Sequence, residues 1–108
     1  MGIKVLVVVL GWLLIAPALV AGEAVEEVVI QDFKFQPAEI TVKVGATVRW
    51  VNREKRQYHS VWFQSSGDPE PPYFFPEESY ERTFDKPGSF DYRCGPHEYM
   101  RGIVKVVE

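Results

Sequence analysis

Cys94, His97 and Met100 stand at successive three-residue spacings in the run Cys94-Gly95-Pro96-His97-Glu98-Tyr99-Met100. A thiolate, an imidazole and a thioether are thereby held in one short loop. Within it Gly95 tolerates unusual backbone angles and Pro96 fixes φ. A second imidazole, His59, lies on an earlier extended segment and approaches from the side. Two imidazoles and a thiolate with a weak thioether donor form the ligand set of a mononuclear copper electron-transfer site. The sulfur donors suit Cu(I), the imidazoles serve both oxidation states, and a rigid frame lets the ion change charge with little movement. Each residue also has an ordinary use. Buried Cys and Met fill cores, and a single loop His is more often a surface or capping residue. Zinc is the chemical rival, but it prefers Asp, Glu or another Cys to Met as fourth ligand. A Cys–His nucleophile is the second rival and needs an orienting Asn or Asp and an oxyanion hole. Asn52 is available for that role, and nothing marks the rest.

The composition sharpens this reading. The 108 residues hold one Cys, two His and two Met, one of them Met1. A single Cys makes no internal disulfide and no four-thiolate metal site. The formal net charge of −3 and the lack of a basic cluster argue against phosphate-driven nucleic-acid binding. With 46% hydrophobic and 14% aromatic residues the chain can form a core. Residues 1–22 read as a secretory signal peptide. Lys4 gives a basic start, Val5 to Ile15 an apolar run, and Pro17, Ala18, Ala21, Gly22 and Ala24 the small-residue cleavage region. The run is short for a membrane span of roughly 20 apolar residues, and Pro17 interrupts it. The expectation is a periplasmic, monomeric domain over residues 23–108, with no membrane attachment after cleavage and one copper ion acquired outside the cytoplasm.

The elements that must position the four side chains read as short strands. Val25 to Gln31 is a first strand, with Phe33 and Phe35 continuing its alternation before Pro37. Ile40, Val42 and Val44 alternate with Thr41 and Lys43, and Gly45-Ala46 turns the chain into Thr47 to Asn52. Tyr58 to Phe63 reads as a further strand that places His59, Val61 and Phe63 on one face. Residues 64–79 carry Gly67, Pro69, Pro71, Pro72 and Pro76 and read as irregular. Tyr80 to Phe84, the turn Lys86-Pro87-Gly88 and Ser89 to Cys94 read as a hairpin, and Ile103 to Val107 closes the chain. This pattern predicts an all-β, Greek-key sandwich or barrel.

From Phe33 to Glu108 the chain resembles the cupredoxin family (plastocyanin/pseudoazurin/amicyanin type). The matching stretches are Phe35-x-Pro37, Ile40-Thr41-Val42-x-x-Gly45, Val48-x-Trp50-x-Asn52, His59, Lys86-Pro87-Gly88-Ser89-Phe90-x-Tyr92-x-Cys94 and Pro96-His97-x-x-Met100-x-Gly102. The Cys-x-x-His-x-x-Met spacing, and Asn52-Arg53-Glu54 before the first His, look most like the amicyanin type. The resemblance implies a cupredoxin-like β-sandwich of about eight strands with copper at one end. It implies His59, Cys94 and His97 as equatorial ligands and Met100 as the axial one. It also implies a non-enzymatic one-electron carrier that serves a redox partner protein, a cytochrome or an oxidoreductase.

Three departures from the family pattern bear on function. The residue after the first ligand His is usually Asn in these relatives, where it ties the two ligand loops together. Ser60 is shorter and implies a looser tether. Glu98 puts a carboxylate beside the exposed edge of His97, where the amicyanin type has Pro. The stretch Gly67–Ser79, with Tyr73, Phe74 and Phe75, has no matching counterpart; it reads as a loop packing its rings on the sandwich end, or else as a docking surface. The His-Ser step and this loop resemble periplasmic copper-tolerance cupredoxins, so copper handling is the alternative function. Asp68, Glu70, Glu77, Glu78 and Glu81 are candidates for steering a basic partner.

Overall fold

The computed structural model describes residues 24–108, so the expected signal peptide over residues 1–22 lies outside the described residues. Seven strands follow in chain order: β1 (Val25–Gln31), β2 (Lys34–Gln36), β3 (Glu39–Lys43), β4 (Thr47–Asn52), β5 (Ser79–Thr83), β6 (Gly88–Arg93) and β7 (Arg101–Val107). They form two sheets, ordered β2-β1-β4-β5 and β3-β7-β6. β1 lies parallel to β4 and β3 parallel to β7, while the other neighbours are antiparallel. The sequence neighbours β3 and β4 therefore belong to different sheets, as do β5 and β6. These crossings make the sandwich.

Alternating side chains of the strands fill the space between the sheets. Val28, Ile30, Val48, Trp50, Val104 and Val106 from the strands join Phe35, Phe63, Phe84 and Tyr92 in one buried cluster. Trp50 is ringed edge-on by Phe63 and Tyr92 at 6.0 and 5.4 Å. Its Nε1 and the Tyr92 Oη are buried without a well-formed hydrogen bond. Burial pushes the Tyr92 phenol up to about 12, with the neighbouring Trp50 side chain partly opposing it. Gly102, paired with Tyr92 across β6 and β7, lies under the Tyr92 ring, and a Cβ there would collide with it.

Three expectations need correction. Tyr58 to Phe63 is not a strand, so the described residues hold seven strands rather than about eight. Its alternation does bury His59, Val61 and Phe63. However, the segment makes only isolated bridges to two different partners, His59 with Phe74 and Trp62 with Arg93. Between them the Ser60 N–H points at the Cys94 sulfur, 3.4 Å away, instead of joining a ladder. The predicted hairpin over 80–94 is instead a crossing. The end of β5 stays tied to the β3–β4 turn by Gly45 N to Phe84 O (2.7 Å) and Phe84 N to Ala46 O (2.9 Å), while Gly88 opens β6 against Val106 of the other sheet. Finally, Phe33 does not continue β1. Asp32 and Phe33 both adopt left-handed angles (φ 56° and 57°) and turn the chain tightly into β2.

Candidate metal centre

Strands β6 and β7 are antiparallel neighbours, so the chain between them must return within a few residues. Cys94 follows β6 directly and Met100 precedes β7 directly. The Cys94 N–H donates to Met100 O (3.0 Å) and the Met100 N–H to His97 O (2.9 Å), which closes the loop on itself. His59 is delivered from the other side by its paired bonds with Phe74, N to O at 3.1 Å and O from N at 2.8 Å. Phe74 is itself buried, so this part of the Pro-rich loop packs against the sandwich end.

The result is a tight cluster. Cys94 Sγ lies 3.5 Å from His59 Nδ1 and 3.5 Å from His97 Nδ1. The three donor atoms all lie within 4.8 Å of one another. Thiolate and imidazole ligands bond such ions at roughly 2.0–2.3 Å, which puts adjacent donors about 3.5 Å apart, so the triangle fits one ion. His59 and Cys94 are fully buried, whereas His97 is half-buried and keeps an edge toward solvent. Met100, at the end of the same loop, is buried too. One thiolate with two imidazoles suits copper, and among the described residues no other group of His, Cys, Asp and Glu comes together this way.

The candidate ligands sit in different electrostatic surroundings. Burial pushes the Cys94 thiol above its ordinary value of 9.0, and hydrogen bonds from the Ser60 and His97 backbone and the charge of Arg93 offset part of this. Burial holds both His59 and His97 below 6.5, with Glu54 pulling each back up. The imidazoles are therefore neutral and ready to ligate above pH 6.5, while the thiol still carries a proton. Loading the copper-free protein between pH 7 and 8.5 is expected to release about one proton per copper, with affinity rising about tenfold per pH unit. Calorimetry in two buffers of different ionisation heat checks this. Proton release near zero would mean that Cys94 is already a thiolate.

Four further residues hold the candidate ligands, and nothing in the sequence marked two of them, Glu54 and Phe33, for that role. Glu54 Oε2 accepts from His59 Nε2 (3.0 Å) and from the Phe33 N–H (2.7 Å). The carboxylate thus keeps the His59 proton on Nε2 and frees Nδ1 for a metal. The Phe33 ring stands edge-on to both ligand imidazoles, at 5.5 Å from His59 and 5.0 Å from His97. Asn52, fully buried, donates to Gln57 O and Phe74 O and accepts from the Glu54 N–H. That role leaves it engaged in bracing the His59 segment, not in orienting a catalytic imidazole. Ser60 keeps the tie between the two ligand segments, because its Oγ accepts the Gly95 N–H at 2.8 Å. A shorter side chain has not cost the site its tether.

The surface around His97 is aromatic. Tyr73, Tyr58, His97 and Tyr99 form a row of roughly parallel rings with successive centroid distances of 5.1, 6.3 and 6.2 Å. Phe75 abuts Tyr58 edge-on. Tyr58, Tyr73, Phe75 and Tyr99 are 40–67% exposed, so Tyr73 and Phe75 do not share the packing role of Phe74. The acidic residues are largely engaged nearby: Asp68 with Arg82, Glu77 with Arg53 and Glu81 with Arg49, each within 2.8 Å. Glu78 accepts the Phe75 N–H and Glu70 the Tyr73 hydroxyl.

Comparison with known proteins agrees with this geometry. Residues 23–107 match the family of copper binding proteins described as the plastocyanin/azurin family. Amicyanin-alpha of Methylorubrum extorquens is 39% identical over 102 residues, covering 82% of this chain and 85% of that protein. Amicyanin of Paracoccus denitrificans is 38% identical over 93 residues, covering 80% of this chain and 70% of that protein. The crystal structure of amicyanin from Paracoccus versutus superposes with a TM-score of 0.70 at 36% identity, covering 75% of this chain and 79% of that one. With a matched family over nearly the whole described chain and a soft three-donor cluster where copper would sit, the chain belongs to the plastocyanin/azurin family of copper binding proteins.

Proposed function

We propose that this chain is a periplasmic one-electron carrier with a type 1 copper held by His59, Cys94, His97 and Met100. The observation that carries the reading is the mutual approach of three buried or half-buried donor atoms, one of whose rings opens onto an exposed aromatic surface. When bound, copper supplies the Cu(II)/Cu(I) change. The chain's own residues do the rest. Cys94 and His59 exclude water from the inner side, and Glu54 and Ser60 hold the ligand segments so that little must move as charge changes. His97 offers the edge through which an electron passes.

The row of rings flanking His97 supports a docking role toward a redox partner protein, a cytochrome or an oxidoreductase. With Asp68, Glu77 and Glu81 each paired to an arginine, long-range steering rests on fewer charges than the acid count alone implies. The burial of Cys94 and the structural use of Asn52 support a carrier without catalytic activity. The signal segment supports export to the periplasm, where one copper would be acquired.

Copper-loaded protein should show thiolate-to-copper absorption, fast electron self-exchange and reduction by a periplasmic cytochrome. Sluggish exchange with every candidate donor, together with copper sensitivity of a deletion strain, would replace the carrier reading with copper handling.

A further inference from the structure

Arg93 is the last residue of β6 and directly precedes the ligand Cys94. A surface arginine ordinarily finds a carboxylate or water. Here Nε donates to Cys94 O at 3.0 Å and Nη2 to Gly95 O at 2.8 Å, so the guanidinium fork closes over two successive carbonyls of the ligand loop. Nη1 reaches Gln64 Oε1 at 3.5 Å. The group is held from the other direction as well, with Cζ 4.9 Å from the centroid of the Trp62 ring. Trp62 is fixed in turn by its backbone bridge to Arg93 and by Nε1 donating to Asp68 O at 2.8 Å. Among the described residues no carboxylate forms an ion pair with Arg93, and its cross-strand partner is a second cation, Arg101. Its charge is therefore left unneutralised one residue from the ligand sulfur. The Glu70 carboxylate also reaches this loop, at Gly95, where a Cβ would collide with it.

We propose that Arg93 is a positioning residue for the metal centre: its fork sets the backbone course of the Cys94–His97 segment, and its uncompensated charge favours the reduced ion. The inference rests on the copper reading above. A cation beside the site disfavours the oxidised state, which carries one more positive charge. The fork, separately, pins the loop whether or not metal is bound.

Two variants test this. In Arg93→Met, which keeps much of the stem over Trp62 but loses charge and donors, the relative affinity should shift roughly threefold to tenfold toward Cu(II). A tenfold change lowers the reduction potential by about 59 mV for a one-electron couple. In the copper-free form of the same variant, amide hydrogen exchange at Cys94, Gly95 and Met100 should quicken by about tenfold. Arg93→Lys keeps the charge but not the fork, so it should restore the potential and leave the exchange fast. Wild-type potential or wild-type exchange in Arg93→Met overturns the proposal, even if thermal stability falls, because a merely structural arginine would change stability alone. If Arg93→Met fails to fold, fast exchange with a wild-type potential in Arg93→Lys supports the proposal and slow exchange there overturns it. Failure of the wild-type chain to take up copper would instead sink the copper reading, and exchange in the copper-free variants would still decide the role of the fork.

Discussion

Cys94→Ser is expected to abolish the intense visible absorption of the copper-loaded protein while leaving the sandwich folded. The band requires a thiolate donating charge to the ion, and the chain has no other cysteine to substitute. The fold should survive because what Cys94 contributes to it is mostly backbone: its N–H closes the ligand loop on Met100 O, and the β6–β7 ladder ends at Arg93 and Arg101. The sulfur receives the Ser60 N–H at 3.4 Å, and a serine hydroxyl can accept the same donor. Burying a hydroxyl in place of a thiol at a fully buried position should cost about 1–2 kcal/mol. Denaturant unfolding of the copper-free variant measures that cost, and the absorption spectrum reads the ligand. A variant that keeps the band would show that the sulfur is not coordinated.

That Cys94 could be singled out at all reflects where the information lies. Cys94, His97 and Met100 are neighbours in sequence, and a loop between two antiparallel strands forces them together whatever the rest of the fold does. Their spacing was therefore readable. Period-two alternation likewise told that Val48 and Trp50 share one face and that Phe90, Tyr92 and Cys94 share another. The parity that Phe33 and Phe35 set for Val25–Gln31 fails, because the turn at Asp32 and Phe33 breaks it and Val28 and Ile30 face inward. Alternation could not tell whether a partner strand runs alongside. Tyr58–Phe63 alternates as a strand does, yet it finds only two isolated bridging partners, Phe74 and Arg93. The Lys86-Pro87-Gly88 turn was legible as a turn, but whether a turn joins neighbours in one sheet or crosses to the other depends on contacts far away in sequence, here those of Phe84 with Gly45 and Ala46.

The residues that hold the ligands were hidden for the same reason. Glu54 and Phe33 are 21 positions apart and meet only because Asp32 and Phe33 turn the chain through left-handed angles. No Asn-Gly or Asp-Gly pair announces that turn, so Phe33 read as one more inward residue of an alternating strand. Its ring instead lies against both ligand imidazoles. Ser60 was identified correctly as the tether position, but its length alone suggested looseness. The approach of Gly95, which has no Cβ to hold the segments apart, restores the 2.8 Å bond.

Glu54→Ala should weaken copper binding by about 10- to 100-fold, the cost usual for losing a carboxylate behind a metal-ligating histidine. Its Oε2 receives two donors at once, the His59 Nε2–H at 3.0 Å and the Phe33 N–H at 2.7 Å. The first fixes the imidazole tautomer and ring direction, leaving Nδ1 aimed at the Cys94 sulfur. The second ties the β1–β2 turn to the metal end. Alanine removes both, so His59 becomes free to protonate Nδ1 and the half-buried Phe33 amide loses its acceptor, which should cost about 1–3 kcal/mol of stability in the copper-free protein. Glu54→Gln separates the two effects, since an amide oxygen can still accept but carries no charge. It should retain most of the stability and lose only part of the affinity. Competition with a chelator of known affinity measures the first quantity and thermal unfolding without metal the second. Wild-type copper affinity in Glu54→Ala would mean that the protein frame alone orients His59, and that the carboxylate serves the turn rather than the ligand.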